Sequence, residues 1–226
     1  LVGVNHGSIT DSWAIGTVTD VWSGSIGGLV AENFGTITKC HAEATVTSDN
    51  SNAGGLVGAN YGSITESHAV GVVEGSSYVG GLVGLNSEGN IDRCYATGNV
   101  TGTEDYWMNY TFVGGLVGYN HASISNSYAK GAASGAEDIG GLVGCNADIG
   151  SITNCYSTGR VSGDSNIGGL VGFSHPDGII TNSYWDTNTS QLASSGGGTE
   201  KSTAEMKQQA TYENWNFDAV WGINGS

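Results

Sequence analysis

The sequence predicts an all-β chain wound as a single-stranded β-helix (β-solenoid) of about seven rungs, each 26 to 34 residues long. Three observations carry that prediction. A phrase built on Gly-Gly-Leu-Val-Gly-x-Asn returns along the chain, anchored by Leu1, Leu29, Leu56, Leu82, Leu116, Leu142 and Leu170 at spacings of 28, 27, 26, 34, 26 and 28 residues. A fixed period of this size marks a coil that repeats one supersecondary unit. A second block follows each Leu, at Ile9, Ile37, Ile64, Ile91, Ile124, Ile152 and Ile180, and within it Ser67, Ala69, Gly71 and Val73 alternate with His68, Val70 and Val72. Period two is the strand signal. Finally, Gly fills 39 of 226 positions, and at about 1 kcal/mol each in a helix interior that excludes a helix-pair solenoid.

If one repeat is one turn, equivalent residues stack at the ~4.8 Å strand spacing and form columns. Ser12, Cys40, Ser67, Cys94, Ser127, Cys155 and Ser183 make a small inward column, and Ala14, Ala42, Ala69, Ala96 and Ala129 the next. Small side chains on one wall let the Leu and Ile wall approach to interior density. Asn5, Asn33, Asn60, Asn86, Asn120 and Asn146 form a column that Ser174 ends; buried amides are expected to satisfy one another as a ladder. Before the Ser/Cys column, Asp11, Lys39, Glu66 and Arg93 alternate in sign, and Asn126, Asn154 and Asn182 are expected to continue as a second amide ladder. The residue after the Ser/Cys column is aromatic throughout: Trp13, His41, His68, Tyr95, Tyr128, Tyr156 and Tyr184.

These residues resemble the GLUG motif repeats of bacterial and archaeal surface proteins. Gly54 to Ile64 reads Gly-Gly-Leu-Val-Gly-Ala-Asn-Tyr-Gly-Ser-Ile, and Cys94 to Val100 reads Cys-Tyr-Ala-Thr-Gly-Asn-Val. The resemblance covers residues 1 to about 186. It implies β-helical stalks in secreted, often very large, adhesin-like proteins, sometimes beside peptidase modules, and it supplies no catalytic residues.

The chain divides at the end of the repeats, into a solenoid over residues 1–186 and a C-terminal capping segment over 187–226. Ser194 to Gly198 reads as a flexible joint. Ser202 with Glu205 fits a helix capping box, with helix-forming residues to about Gln209. Trp215, Phe217, Val220, Trp221 and Ile223 supply an apolar load that reads as a plug over the last rung, or as a sugar-binding patch. The chain opens at Leu1 inside a motif, so earlier repeats, another domain or another subunit are expected to cover its first edge.

Lys and Arg total 6 against 21 Asp and Glu, a net charge of −15. Nucleic acid binding needs basic clusters, and there are none. No apolar run approaches 18 residues, so no membrane insertion of this segment is expected. Acid gathers between repeats at Asp20, Asp49, Glu74, Glu104, Asp105, Glu137, Asp138 and Asp164. Stacked loops would align these carboxylates along an edge where calcium could bridge them, with Glu104, Asp105, Glu137 and Asp138 as the candidate ligands; no other cofactor is implied. Four cysteines do not make a disulfide framework. Those in one column lie two rungs apart, about 9 to 10 Å and beyond the roughly 7 Å limit for bridging, and Cys145 stands in another column, so four reduced thiols are expected.

Two candidate ligand sites emerge. The 34-residue spacing from Leu82 to Leu116 admits an insertion, Glu104 to Tyr110, in which Tyr106, Trp107 and Tyr110 accompany the two acids. Insertions on a solenoid leave one face as recognition loops. The aromatic column offers Tyr95, Tyr128 and Tyr156 as a strip for a glycan or a protein, although stacking alone explains it. No nucleophile elbow, HExxH or phosphate loop occurs. Ser, Cys and His recur as columns, whereas a catalytic residue should break the pattern. The reading is a non-catalytic module, secreted or at the cell surface, serving as a stalk or adhesin that binds glycans or extracellular proteins. The alternatives are an extracellular filament or sheath subunit associating end to end and, less favoured, a β-helical polysaccharide-degrading enzyme. An ice-binding face is disfavoured because Ile15, Glu43, Val70, Thr97, Lys130 and Thr158 are too varied.

Overall fold

The computed structural model describes residues 2–20, 24–49, 51–103 and 111–222. Each turn of the chain lays down the same strands in the same order. In one turn Val57–Asn60 joins a first sheet, Ser63–Thr65 a second, His68–Ala69 and Val73–Gly75 a third, and Tyr78–Gly80 a fourth. The first and second sheets are seven strands deep, the third twelve and the fourth six. Pairing is parallel and in register, Asn33 beside Asn60 and Ile37 beside Ile64, for example. The chain is therefore a parallel β-solenoid of about six full turns.

The repeated residues explain the turn. Gly54-Gly55 and its equivalents bring the chain from the fourth sheet back to the first. A Cβ at Gly81 would collide with the Gly115 carbonyl oxygen and lie 2.9 Å from the Ala96 Cβ. The small Ala column therefore faces the glycine backbone across the interior, and both must stay small. On one side of this waist, Leu56, Val57, Ile64, Cys94 and their equivalents form one core; on the other, Val46, Val73, Val79, Val100 and Ile139 form a second. Backbone N–H groups at the corner bond one turn ahead, as Leu56 does to the Leu82 oxygen at 2.9 Å.

The Asn column is a ladder. Asn5 Nδ2 donates to Asn33 Oδ1, and the relay continues through Asn60, Asn86 and Asn120 to Asn146 at 2.8 to 2.9 Å per step. Asn33 to Asn146 are fully buried. A second Nδ2–H bond goes to a backbone carbonyl at Asn5, Asn33, Asn60, Asn120 and Asn146, to Gly62 O in the case of Asn60. Mutual satisfaction turns a costly buried amide into a register lock.

The column before Ser/Cys has a different basis from the expected one. Asp11, Lys39, Glu66, Arg93, Asn126, Asn154 and Asn182 all have φ between 46° and 55°. These are left-handed corner residues, which Asn and Asp tolerate and Lys39, Glu66 and Arg93 adopt at about 1 kcal/mol or more. The following residue holds the corner: Ser67 Oγ donates to the Thr65 oxygen at 2.8 Å and accepts the Cys40 N–H at 3.0 Å. Arg93 does pair with Glu66, at 3.2 Å and exposed. The expected amide ladder over Asn126, Asn154 and Asn182 is not formed, because Asn126 Nδ2 turns to Asp92 Oδ1 at 2.7 Å and Asn154 Oδ1 has no partner.

The four cysteines are buried free thiols. Burial pushes Cys94, Cys145 and Cys155 up to about 12, so they act as small apolar residues.

The ending departs from the expectation of a flexible joint and a terminal aromatic plug. Trp185 takes the Ala column position in the last turn and puts its indole against Gly169. Ser194 to Gly196 then imitate one further turn: Ser194 O accepts the Gly169 N–H, Ser195 Oγ accepts those of Leu170 and Val171, and Gly196 N donates to Val171 O at 2.7 Å. Thr199–Lys201 adds a last strand beside Tyr184–Asp186. Open backbone groups on the last turn recruit these residues, so the segment is docked rather than hinged. Ser202 and Glu205 form the capping box, but the helix covers only Thr203–Met206, and a 3-10 turn follows at Gln209–Thr211.

Candidate functional site

The aromatic column stacks as one continuous pile along the third sheet. Ring centroids lie 6.1 Å apart for Trp13 and His41, 5.0 Å for His41 and His68, 4.5 Å for His68 and Tyr95, 5.0 Å for Tyr95 and Tyr128, and 4.9 Å for Tyr128 and Tyr156, with planes within 10° of parallel. Stacking spends the ring faces on neighbours and leaves edges and hydroxyls toward solvent. A sugar stacks on a ring face, so Tyr95 and Tyr128 present an edge strip rather than a flat platform. A second, shorter pile that the repeat pattern did not single out joins His6, Phe34 and Tyr61 at 5.1 and 4.6 Å.

At Tyr156 the pile meets the C-terminal residues, which fold back along the side of the solenoid instead of over its end. Asp186 starts this return: its Oδ1 accepts the N–H groups of Asn188 and Thr189, and its Oδ2 accepts the Thr203 hydroxyl at 2.6 Å. Trp215 Nε1 donates to the Asn182 oxygen at 2.9 Å, which pins the tail to the last corner. Tyr184 is buried edge-on against Tyr212, at 5.4 Å. Trp221 reaches back to Tyr156 at 5.7 Å and Tyr128 at 6.2 Å. Burial raises the phenol of Tyr156, with Tyr128 and Tyr212 adding to it, and takes Tyr212 to about 12.

Between tail and sheet lies a cleft of about 430 Å³. Tyr156, Trp215, Phe217 and Trp221 give it apolar walls, and Lys130, Thr158, Thr203 and Lys207 its polar edge. Beyond Trp221 a second depression of about 370 Å³ is lined by Arg93, Tyr95, Asn126, Tyr128, Lys130 and Tyr156 among others. The three column tyrosines named from sequence are thus brought together with Trp221. In the sequence Lys130 and Thr158 stand out only as members of a varied outward column, and Lys207 not at all. The available signal was Trp185, which breaks the Ala column and announces that the chain stops repeating there.

The other candidates separate. Glu104, Asp105, Tyr106, Trp107 and Tyr110 lie outside the described residues; Thr103 and Thr111 on either side are joined by a hydrogen bond from the Thr111 hydroxyl to the Thr103 oxygen at 3.4 Å. Among the described residues the strand partners of these acids are not acids: Asp20 stands beside Ser48, Glu74 between Thr47 and Thr101, and Glu137 beside Ser165. Glu137 accepts from the Ser165 hydroxyl at 3.3 Å, and the buried Asp138 from Asn166 Nδ2 at 2.8 Å. Burial, partly offset by Asn166, raises the Asp138 carboxyl. Among the described residues no three His, Cys, Asp or Glu side chains converge as a metal-holding group.

Fold and columns define the class, a parallel β-solenoid repeat protein. The model of the GLUG motif matches residues 23–47, 75–101, 110–134 and 135–162, four repeats of the chain. The protein is a GLUG-motif repeat protein. It is 39% identical over 116 residues to a protein of Evansella cellulosilytica named "Putative Gly-rich membrane protein", an overlap of 49% of this chain and 10% of that one. Among solved structures it resembles an "IgA1 Protease" chain with a TM-score of 0.70 at 20% identity, over 97% of this chain and 19% of that chain. That likeness concerns the fold alone. The chain spans about a tenth of the relative's length and about a fifth of the solved chain. Among the described residues no helix is long and apolar enough to cross a membrane.

Proposed function

We propose that this chain is a non-catalytic, extracellular module of a larger cell-surface protein, in which the solenoid acts as a stalk and the cleft beside Trp221 binds a glycan. The observation that carries the reading is the cleft itself, where aromatic walls and a polar edge combine as saccharide sites require. The surface placement draws support from the membrane-protein name of the relative and from the acidic composition. Against catalysis, the one carboxylate in the lining is Asp186, and hydrogen bonds within the chain engage both its oxygens. Hydrolysis by a paired-carboxylate mechanism needs a second acid and free oxygens on both.

A glycan array probed with the labelled chain, with calcium and with a chelator, tests this. The expected result is retention of a defined glycan set, lost in Trp221→Ala while the melting temperature stays near that of the parent. Calcium dependence would assign the ion to the acidic positions named from sequence, and its absence would remove that proposal. Failure to retain any glycan, or the appearance of new reducing ends, would overturn the reading.

A further inference from the structure

The cleft is electrostatically unlike the rest of the molecule. Over the whole chain acids outnumber Lys and Arg by 21 to 6. Around the cleft and its neighbouring depression the described lining residues include three cations, Arg93, Lys130 and Lys207, and one carboxylate, Asp186, with Glu66 and Asp92 against Arg93. Half of the chain's cations (3 of 6) thus gather on one patch; of the three acids there, two are paired with Arg93 and the third is Asp186. That acid is 2% exposed and holds the cap together through Asn188, Thr189 and Thr203.

The two lysines are also unspent. Arg93 is engaged by Glu66 and Asp92 at 3.2 and 3.3 Å, but neither Lys130 nor Lys207 makes an ion pair among the described residues. Lys130 Nζ stands 5.0 Å from the centre of the Tyr128 ring, a cation–π contact that orients the ammonium without neutralising it. An ammonium beside aromatic walls in a half-enclosed cleft favours an anionic group on a ring-shaped ligand, since charge-assisted hydrogen bonds outweigh neutral ones.

Resting on the glycan reading above, we propose that the cleft selects an acidic saccharide, with the carboxylate of a uronic or sialic acid unit held by Lys130 and Lys207 and its ring against Tyr156 and Trp221. The whole chain is also strongly negative, so such a ligand is repelled elsewhere and the patch sets where it lands.

Calorimetric titration of the full chain with an oligosaccharide ending in glucuronic acid, and with its glucose-ended counterpart, separates the possibilities. The acidic sugar is expected to bind about tenfold tighter in dilute buffer, with the preference shrinking in 0.5 M salt as screening predicts. The preference should disappear in Lys130→Gln/Lys207→Gln, which should lose more affinity for the acidic sugar than for the neutral one, and survive in Lys39→Gln, with the melting temperature unchanged in both. Equal affinity for the two sugars, or a preference that persists without the lysines, would overturn this inference and leave the glycan cleft standing. Binding of neither sugar would overturn both.

Discussion

In the body of the solenoid each corner Leu N–H finds its acceptor in the Leu one turn on, as Leu142 does in Leu170. At Leu170 the equivalent N–H is met by the Ser195 hydroxyl at 3.2 Å, and Trp185 stands where earlier turns carry Ala or Ser. One backbone need is thus answered twice, by translation of identical residues and by residues that occur once. Translated residues build the rod; unrepeated ones close it and, between Tyr156 and Trp221, create its aromatic-walled cleft. Regularity here marks structure, and departures from it mark where recognition is to be sought.

The sharpest way to break this comparison is to enlarge a residue of the body. Gly81→Ala forces a Cβ into the Gly115 carbonyl and toward Ala96, and should cost about 3 kcal/mol or more, enough to remove much of an ordinary domain's stability. Gly196→Ala in the ending meets nothing closer than 3.0 Å and should cost clearly less in the same urea titration. Trp185→Ala empties the Ala-column position of the last turn, against Gly169; a loss of about 3 kcal/mol is expected. In a fold stabilised turn by turn the damage should show first as protease cuts within residues 187–201, and cuts spread evenly along the chain would contradict the division. Asn86→Ala interrupts the amide ladder between Asn60 and Asn120 and should cost about 2 kcal/mol from two buried groups losing their partner, with Asn60 still holding the Gly62 oxygen.

Acid should act more gently. Burial holds His68 below its ordinary value and the neighbouring His41 lowers it further, against Glu43. The unfolded chain therefore takes up the proton first, so this contribution to stability is intact above about pH 6.5 and is lost as the pH falls from there through the lowered folded value. His68→Tyr, which extends the tyrosine run, should melt with a smaller difference between pH 7.5 and 5.5 than the parent; an unchanged difference would remove His68 as the cause.

What the sequence made legible follows the same division. The Leu, Ile, Ala and Asn columns could be read because stacking repeats a side chain wherever its environment repeats. The corner at Asp11, Lys39, Glu66 and Arg93 was visible as a column but not as a left-handed turn, since Lys, Glu and Arg carry no turn signature and only Asp11, Asn126, Asn154 and Asn182 do. Ser195 could not be matched to Leu170, because a residue that imitates a motif through its hydroxyl leaves no motif to find. The cleft was half legible: the tail aromatics and Tyr156 stood out, while Lys130 and Lys207 gain meaning only when the tail folds back beside the third sheet.

The central claim is that each repeat is one turn, with equivalent residues side by side. Glu74 and Thr101 are in register on the third sheet, and Ser134 is one turn further. Strand spacing puts neighbours at ~4.8 Å, inside the disulfide range, and second neighbours at about 9 to 10 Å, outside it. Oxidation of Glu74→Cys/Thr101→Cys and of Glu74→Cys/Ser134→Cys, read by mass spectrometry of the folded chain, tests this directly. The account predicts a crosslink in the first pair and none in the second; equal crosslinking of both, or none in the first, would contradict it.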